Sequence, residues 1–105
     1  MRMITLTITA GPNQGCRRTA SCGQDLHVGR ASEADFAIVD PRMSRLHFRV
    51  EGPNGRWHVV DLRSTNGTLL NETPVARADL RDGDVIMAGD TNFRVSLHDA
   101  PASCM

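Results

Sequence analysis

Apolar side chains recur at every second position through much of this chain. In Ile4-Thr5-Leu6-Thr7-Ile8-Thr9 three aliphatic residues alternate with three threonines, the pattern of a strand with one face buried and the other wet. His47-Phe48-Arg49-Val50 and Asn92-Phe93-Arg94-Val95-Ser96-Leu97 repeat it. Further strands are predicted at Cys16 to Ala20, Asp25 to Val28, Phe36 to Val39, Trp57 to Leu62, Thr68 to Leu70, Pro74-Val75 and Val85 to Met87. Turn chemistry separates them: Gly11 to Gly15, Asp40-Pro41, Gly52-Pro53-Asn54-Gly55, Asn71-Glu72, Arg81 to Asp84 and Gly89-Asp90. No segment sustains the period of an amphipathic helix, and Ala76 to Leu80 fits a helical turn or an extended strand equally well. Roughly ten or eleven short strands at this spacing predict an all-β sandwich of two antiparallel sheets. Its loops gather at the two ends, so residues distant in sequence meet at one rim.

Composition narrows the partners. A chain of 105 residues holds one domain and one core. With aromatic residues at 4%, that core is expected to be aliphatic. Twelve basic residues balance twelve acidic ones, which argues against a general nucleic-acid binder but leaves room for a local anion pocket. Cys16, Cys22 and Cys104 are an odd set without metal-ligand spacing. A Cys16–Cys22 bridge across a hairpin is conceivable, and free cytosolic thiols are the favoured reading. No leader-like opening is present, and no apolar run approaches the ~20 residues of a membrane span. The expectation is a soluble, cytoplasmic domain over residues 1–98 with a frayed tail at 99–105, and no membrane partner.

The chemistry-bearing residues sit in the predicted loops. Arg30 follows a strand end and Gly29, where a fixed guanidinium fork suits phosphate oxygens and glycine permits close backbone approach. Ser44-Arg45 pairs a directional hydroxyl donor with a cation. Thr65-Asn66-Gly67 reads as a tight turn, and Asn66 also offers the donor and acceptor needed to grip a peptide main chain. His47 lies three positions after Ser44, which invites a nucleophile–base reading. That chemistry needs an orienting carboxylate and an oxyanion hole, for which Asp40 and Asp61 are available by composition alone and no Gly-x-Ser-x-Gly elbow exists. A structural histidine tying loops together is the better reading. His27, His47, His58 and His98 lack metal-site spacing, so neither metal nor cofactor is expected.

Gly29-Arg30, Ser44-Arg45-x-His47, Ser64-Thr65-Asn66-Gly67-Thr68 and Asn71, flanked by Asp61-Leu62-Arg63 and Leu80-x-Asp82-Gly83-Asp84-Val85-Ile86, resemble in order and spacing the signature of the forkhead-associated (FHA) domain. The resemblance covers about Met3 to Leu97. It implies an eleven-strand sandwich of FHA/SMAD-like type whose loops at one end bind phosphothreonine in an extended peptide. It also implies a phosphothreonine-containing partner, a Ser/Thr kinase upstream, and no catalysis. Carried over, Arg30, Ser44 and Thr65 contact phosphate, Arg45 adds charge, and Asn66 holds the peptide main chain. Gly29, His47, Gly67, Thr68 and Asn71 brace the loops, while Arg63 and the Asp40–Met43 loop, Met43 included, are candidates for side-chain selection. Glu72 stands where the family often has glycine. The competing reading is a phosphorylation-independent assembly module on the same fold, and a hydrolase using Ser44 and His47 is a distant third.

Overall fold

The computed structural model describes residues 2–99. The Ile-Thr alternation becomes β1 (Arg2–Ala10), which pairs with β2 (Arg17–Ser21) on one side and β11 (Thr91–Asp99) on the other. Beyond β11 the sheet continues through β10 (Val85–Ala88), β7 (Thr68–Leu70) and β8 (Thr73–Val75). The second sheet runs β4 (Phe36–Ala37), β3 (Leu26–Gly29), β5 (Phe48–Glu51), β6 (His58–Asp61) and β9 (Arg77–Asp79). Eleven strands in two sheets make the expected sandwich, with no helix among the described residues.

Three details differ from the sequence reading. The β3–β4 pair is parallel, so the second sheet is not wholly antiparallel. The strand expected through Val39 stops at Ala37: the Ile38 amide makes a last bond to the Gly29 carbonyl at 2.9 Å, and the Val39 amide goes instead to Asn13 Oδ1 at 2.8 Å. Ala76 to Leu80 resolves as extended: β9 pairs with β6, and the Leu80 amide bonds to the Trp57 carbonyl. Cys16 and Cys22 are free thiols at either end of β2. An extended five-residue strand keeps them about 15 Å or more apart, too far for the ~4.4–6.8 Å Cα separation of a disulfide. Asp99 closes β11 opposite Arg2, while the rest of the expected tail, with Cys104, lies outside the described residues.

Register explains the core. Ile4, Leu6 and Ile8 stand opposite Leu97, Val95 and Phe93, so both long strands turn their apolar residues inward together. From the facing sheet come Val28, Phe48, Val50 and Val59, all unexposed. Phe93 crosses the interface, edge-on to Phe48 at 5.2 Å and to Phe36 at 6.0 Å between centroids. Each buried aliphatic or aromatic side chain contributes about 1.5–3 kcal/mol. Arg18 closes the open edge, its guanidinium 5.2 Å above the Phe36 ring. With the strands fixed, the loops after β3, β4, β6 and β10 meet at one end.

Candidate functional site

Gly29 is where two loops touch. A Cβ there would lie 2.1 Å from the Arg45 carbonyl oxygen, so only glycine lets the β4–β5 loop settle on the end of β3. Two amide bonds then lock the contact, Arg30 N–H to Ser44 C=O and Ala31 N–H to Arg45 C=O, both at 3.0 Å.

His47 ties in a third loop. Its buried ring accepts the Ser44 amide on Nδ1 (3.0 Å), which leaves Nε2 to donate to the Gly67 carbonyl at 2.8 Å. Its main chain bonds Val28 and Leu62. Both ring nitrogens are occupied by backbone, and neither meets the Ser44 hydroxyl. That hydroxyl oxygen instead accepts the Thr65 amide at 2.9 Å. No Ser–His relay exists in this geometry.

Two aspartates missed as loop anchors complete the frame. Asp61 accepts the Ser64 amide and hydroxyl and, at 2.7 Å, the Thr68 hydroxyl, so it spans the β6–β7 loop. Burial alone would raise its pKa, but these donors outweigh it and hold the carboxyl below the usual range. Asp40, wholly buried, accepts the Arg42 amide (2.9 Å), the Asp90 amide (2.8 Å) and the Thr91 hydroxyl (2.7 Å). Burial again pushes up, and the three donors again win, led by Thr91. Asp40 thereby pins the β4–β5 loop to the β10–β11 turn. The signal was present in the sequence: an aspartate two residues before Arg42, at a loop entrance with proline, is the pattern of an Asx turn.

On this frame the five sequence candidates converge. Arg30, Ser44, Arg45, Thr65 and Asn66 line one open cavity of about 480 Å³, joined by Arg42 and by no carboxylate. Arg30 Nε donates to the Met43 carbonyl at 3.1 Å, which fixes the fork, and among the described residues its terminal nitrogens make no hydrogen bond. Arg45 donates to Glu33 at 3.0 Å; backbone donation, then this arginine, hold the Glu33 carboxyl below its usual range. Asn66 Nδ2 donates to the Arg42 carbonyl at 2.8 Å, and among the described residues its Oδ1 accepts nothing. Size does not single this cavity out, since another of about 480 Å³ opens beside Arg2 and Pro53. Convergence of hydroxyls, an amide and guanidinia from separate loops does.

The other candidates are placed differently. Met43 lies on the cavity's lining but is only 2% exposed and packs within the core, beside the solvent-facing Arg42. Arg63 sits on the β6–β7 loop in a left-handed conformation (φ 56°) but does not line the cavity. Gly67 is left-handed too (φ 81°), and Thr68 is buried. Asn71 bonds Asp84 and the Val85 amide, which places it at the β7–β8 turn, away from the cavity. Among the described residues no group of His, Cys, Asp and Glu is placed to hold a metal, and no helix is long and apolar enough to cross a membrane.

The family model of the FHA domain matches residues 26–89. The chain is 37% identical over 100 residues to the glycogen accumulation regulator GarA of Mycolicibacterium smegmatis, covering 93% of this chain and 60% of that protein. Other curated relatives are longer still, the chain spanning 24%, 18% and 10% of three of them. Among solved structures it is similar to an FHA domain with phosphothreonine-dependent interactions (TM-score 0.84, 32% identity, 93% of this chain and 99% of that one). It is similar also to the FHA domain of FhaA complexed with the intracellular domain of Rv3910 (TM-score 0.79, 33% identity, 88% and 98%).

Proposed function

The chain belongs to the FHA domain family, and on that premise we propose that it is a non-catalytic reader of phosphothreonine segments in partner proteins, acting downstream of a Ser/Thr kinase. The observation that carries the reading is the convergence of Arg30, Ser44, Arg45, Thr65 and Asn66 on one carboxylate-free cavity. A phosphothreonine brings about −1.5 to −2 charges and three acceptor oxygens. Arg30 and Arg45 supply the charge, the hydroxyls of Ser44 and Thr65 supply directional donors, and Asn66 Oδ1 takes a peptide amide. His47, Gly29, Gly67 and Thr68 hold the loops that present them, and Asn71 braces the neighbouring turn.

Recognition without catalysis is supported by the Ser44 hydroxyl, which accepts the Thr65 amide, while His47 Nδ1 takes the Ser44 main-chain amide and not its hydroxyl. Binding shares the compartment of the kinase, which we take to be the cytoplasm. A short peptide makes a small contact, consistent with micromolar affinity, about −8 kcal/mol.

Arg30→Ala tests the assignment. Its loss leaves the phosphate without the cation whose fork the Met43 carbonyl fixes, and should weaken phosphopeptide binding by roughly 2–5 kcal/mol. Isothermal titration of the variant with unchanged affinity would remove Arg30 from the site. The same titration should weaken in the wild type below about pH 6, where the phosphate takes up a proton.

A further inference from the structure

The sandwich carries a second charged cavity at the end away from the phosphate loops. Arg56 and Trp57 precede β6, whereas the β6–β7 loop follows it. β9 runs antiparallel to β6 and so brings Leu80 and Arg81 back beside Trp57. β1 begins at this end with Arg2, and Leu97 lies near the close of β11. These residues, with Asp79, line a cavity of about 430 Å³. A second cavity of about 480 Å³ shares Arg2 and Gly55 with it and runs on past Pro53 and Asn54, so the two adjoin as one groove.

Two independent observations point to a ligand. Among the described residues Arg56 and Arg81 make no ion pair, Arg2 meets only Asp99 at 3.8 Å, and Asp79 pairs with none of the three. Trp57 is 2% exposed, and its Nε1 is the one buried side-chain polar atom without a partner among the described residues. An indole N–H only donates, so what it lacks is an acceptor. The ring is held in place. A Cβ on Gly52 would lie 2.6 Å from it, and the Trp57 carbonyl takes the Leu80 amide at 2.9 Å.

Guanidinia and an indole donor call for a ligand that brings acceptors and negative charge. Unlike the phosphate cavity, this lining holds no hydroxyl, and its cations come from three separate stretches of chain. Carboxylates spaced along a peptide match that spread better than a single phosphate does. Half-buried Leu97, with Leu80 beside it, gives an apolar side chain a floor. We infer that this groove is a second binding site, taking an unphosphorylated acidic segment of a partner protein on Arg2, Arg56, Arg81 and the Trp57 indole N–H. It lies at the opposite end from Arg30, so one partner can hold both ends, and each contact raises the effective concentration of the other.

Trp57 is the only tryptophan, so the chain's single indole N–H resonance reports on this groove. A capped Asp-Asp-Leu-Asp-Asp peptide, with Asn-Asn-Leu-Asn-Asn as its neutral match, is titrated into the isotope-labelled chain while that resonance is followed. The aspartate peptide should move it saturably and bind about five- to ten-fold tighter than the asparagine peptide, the worth of two or three exposed ion pairs. Arg56→Gln combined with Arg81→Gln, both at exposed positions, should bring the two peptides level and leave phosphothreonine-peptide affinity unchanged. Arg30→Ala should leave binding of the aspartate peptide unchanged, which separates this groove from the phosphate cavity. The inference is overturned by an indole resonance that stays still or by equal binding of the two peptides in the wild type. A preference that survives in R56Q/R81Q, or vanishes in R30A, overturns it too. Each of these results leaves phosphate recognition standing.

Discussion

His47 offers a ligand neither a proton nor a lone pair, because the Ser44 amide and the Gly67 carbonyl occupy both ring nitrogens. Its contribution is therefore to stability and to loop position. His47→Ala should leave a buried amide and carbonyl unpaired beside a new void and cost about 2–4 kcal/mol, measured by urea unfolding. A variant as stable as the wild type would contradict the brace. Asp40 works in the same way through charge. Its carboxyl is held below the usual range by three donors, so the stability it contributes is present above the unfolded-state value near pH 4 and is lost as pH falls through the lower folded-state value. Asp61 adds in the same direction. Unfolding free energy should therefore fall steeply below about pH 4. Asp40→Asn should be destabilised by about 1–3 kcal/mol at pH 7 and show a shallower acid limb. A variant with an acid limb as steep as the wild type would remove Asp40 from that account.

At the scale of elements, the β7–β8 turn shows a local rule broken. Asn71 and Glu72 both adopt left-handed backbone, φ 49° and 71°. Asparagine tolerates that conformation; glutamate does so at a cost of about 1 kcal/mol. The departure from glycine seen in the sequence thus has a physical meaning, a strained turn remote from the cavity. Glu72→Gly should raise the melting free energy by roughly 0.5–1 kcal/mol with ligand affinity unchanged, and a loss of affinity would relocate the turn into the site. The strands themselves were legible because a period of two over Ile4 to Thr9 or Asn92 to Leu97 admits no other face assignment. The parallel β3–β4 pair was not, since a two-residue ladder carries no period. Ala76 to Leu80 needed its partner β6 to choose between turn and strand.

On the scale of the whole molecule, twelve arginines and twelve acids cancel, yet three of the arginines face one cavity without a carboxylate. Net charge conceals this, and only the folded arrangement of three loops reveals it. The same limit explains which site residues were readable. Arg30, Ser44, Arg45, Thr65 and Asn66 lie within a spaced pattern of turn and strand ends, so order along the chain was enough to group them. Met43 and Arg42 are adjacent, and nothing in the sequence says which points inward; the core claimed the methionine and left the arginine at the rim. Asp40 and Asp61 were noted as possible partners of His47, whereas the fold gives them to the loop backbones instead.

The central claim is that this end of the sandwich reads phosphate on threonine. Titrating the chain with a phosphothreonine peptide and with its unphosphorylated twin, under identical conditions, tests it most directly. Micromolar binding of the first and no measurable heat from the second are expected. Equal binding of both would contradict it and favour a phosphorylation-independent assembly surface on the same fold.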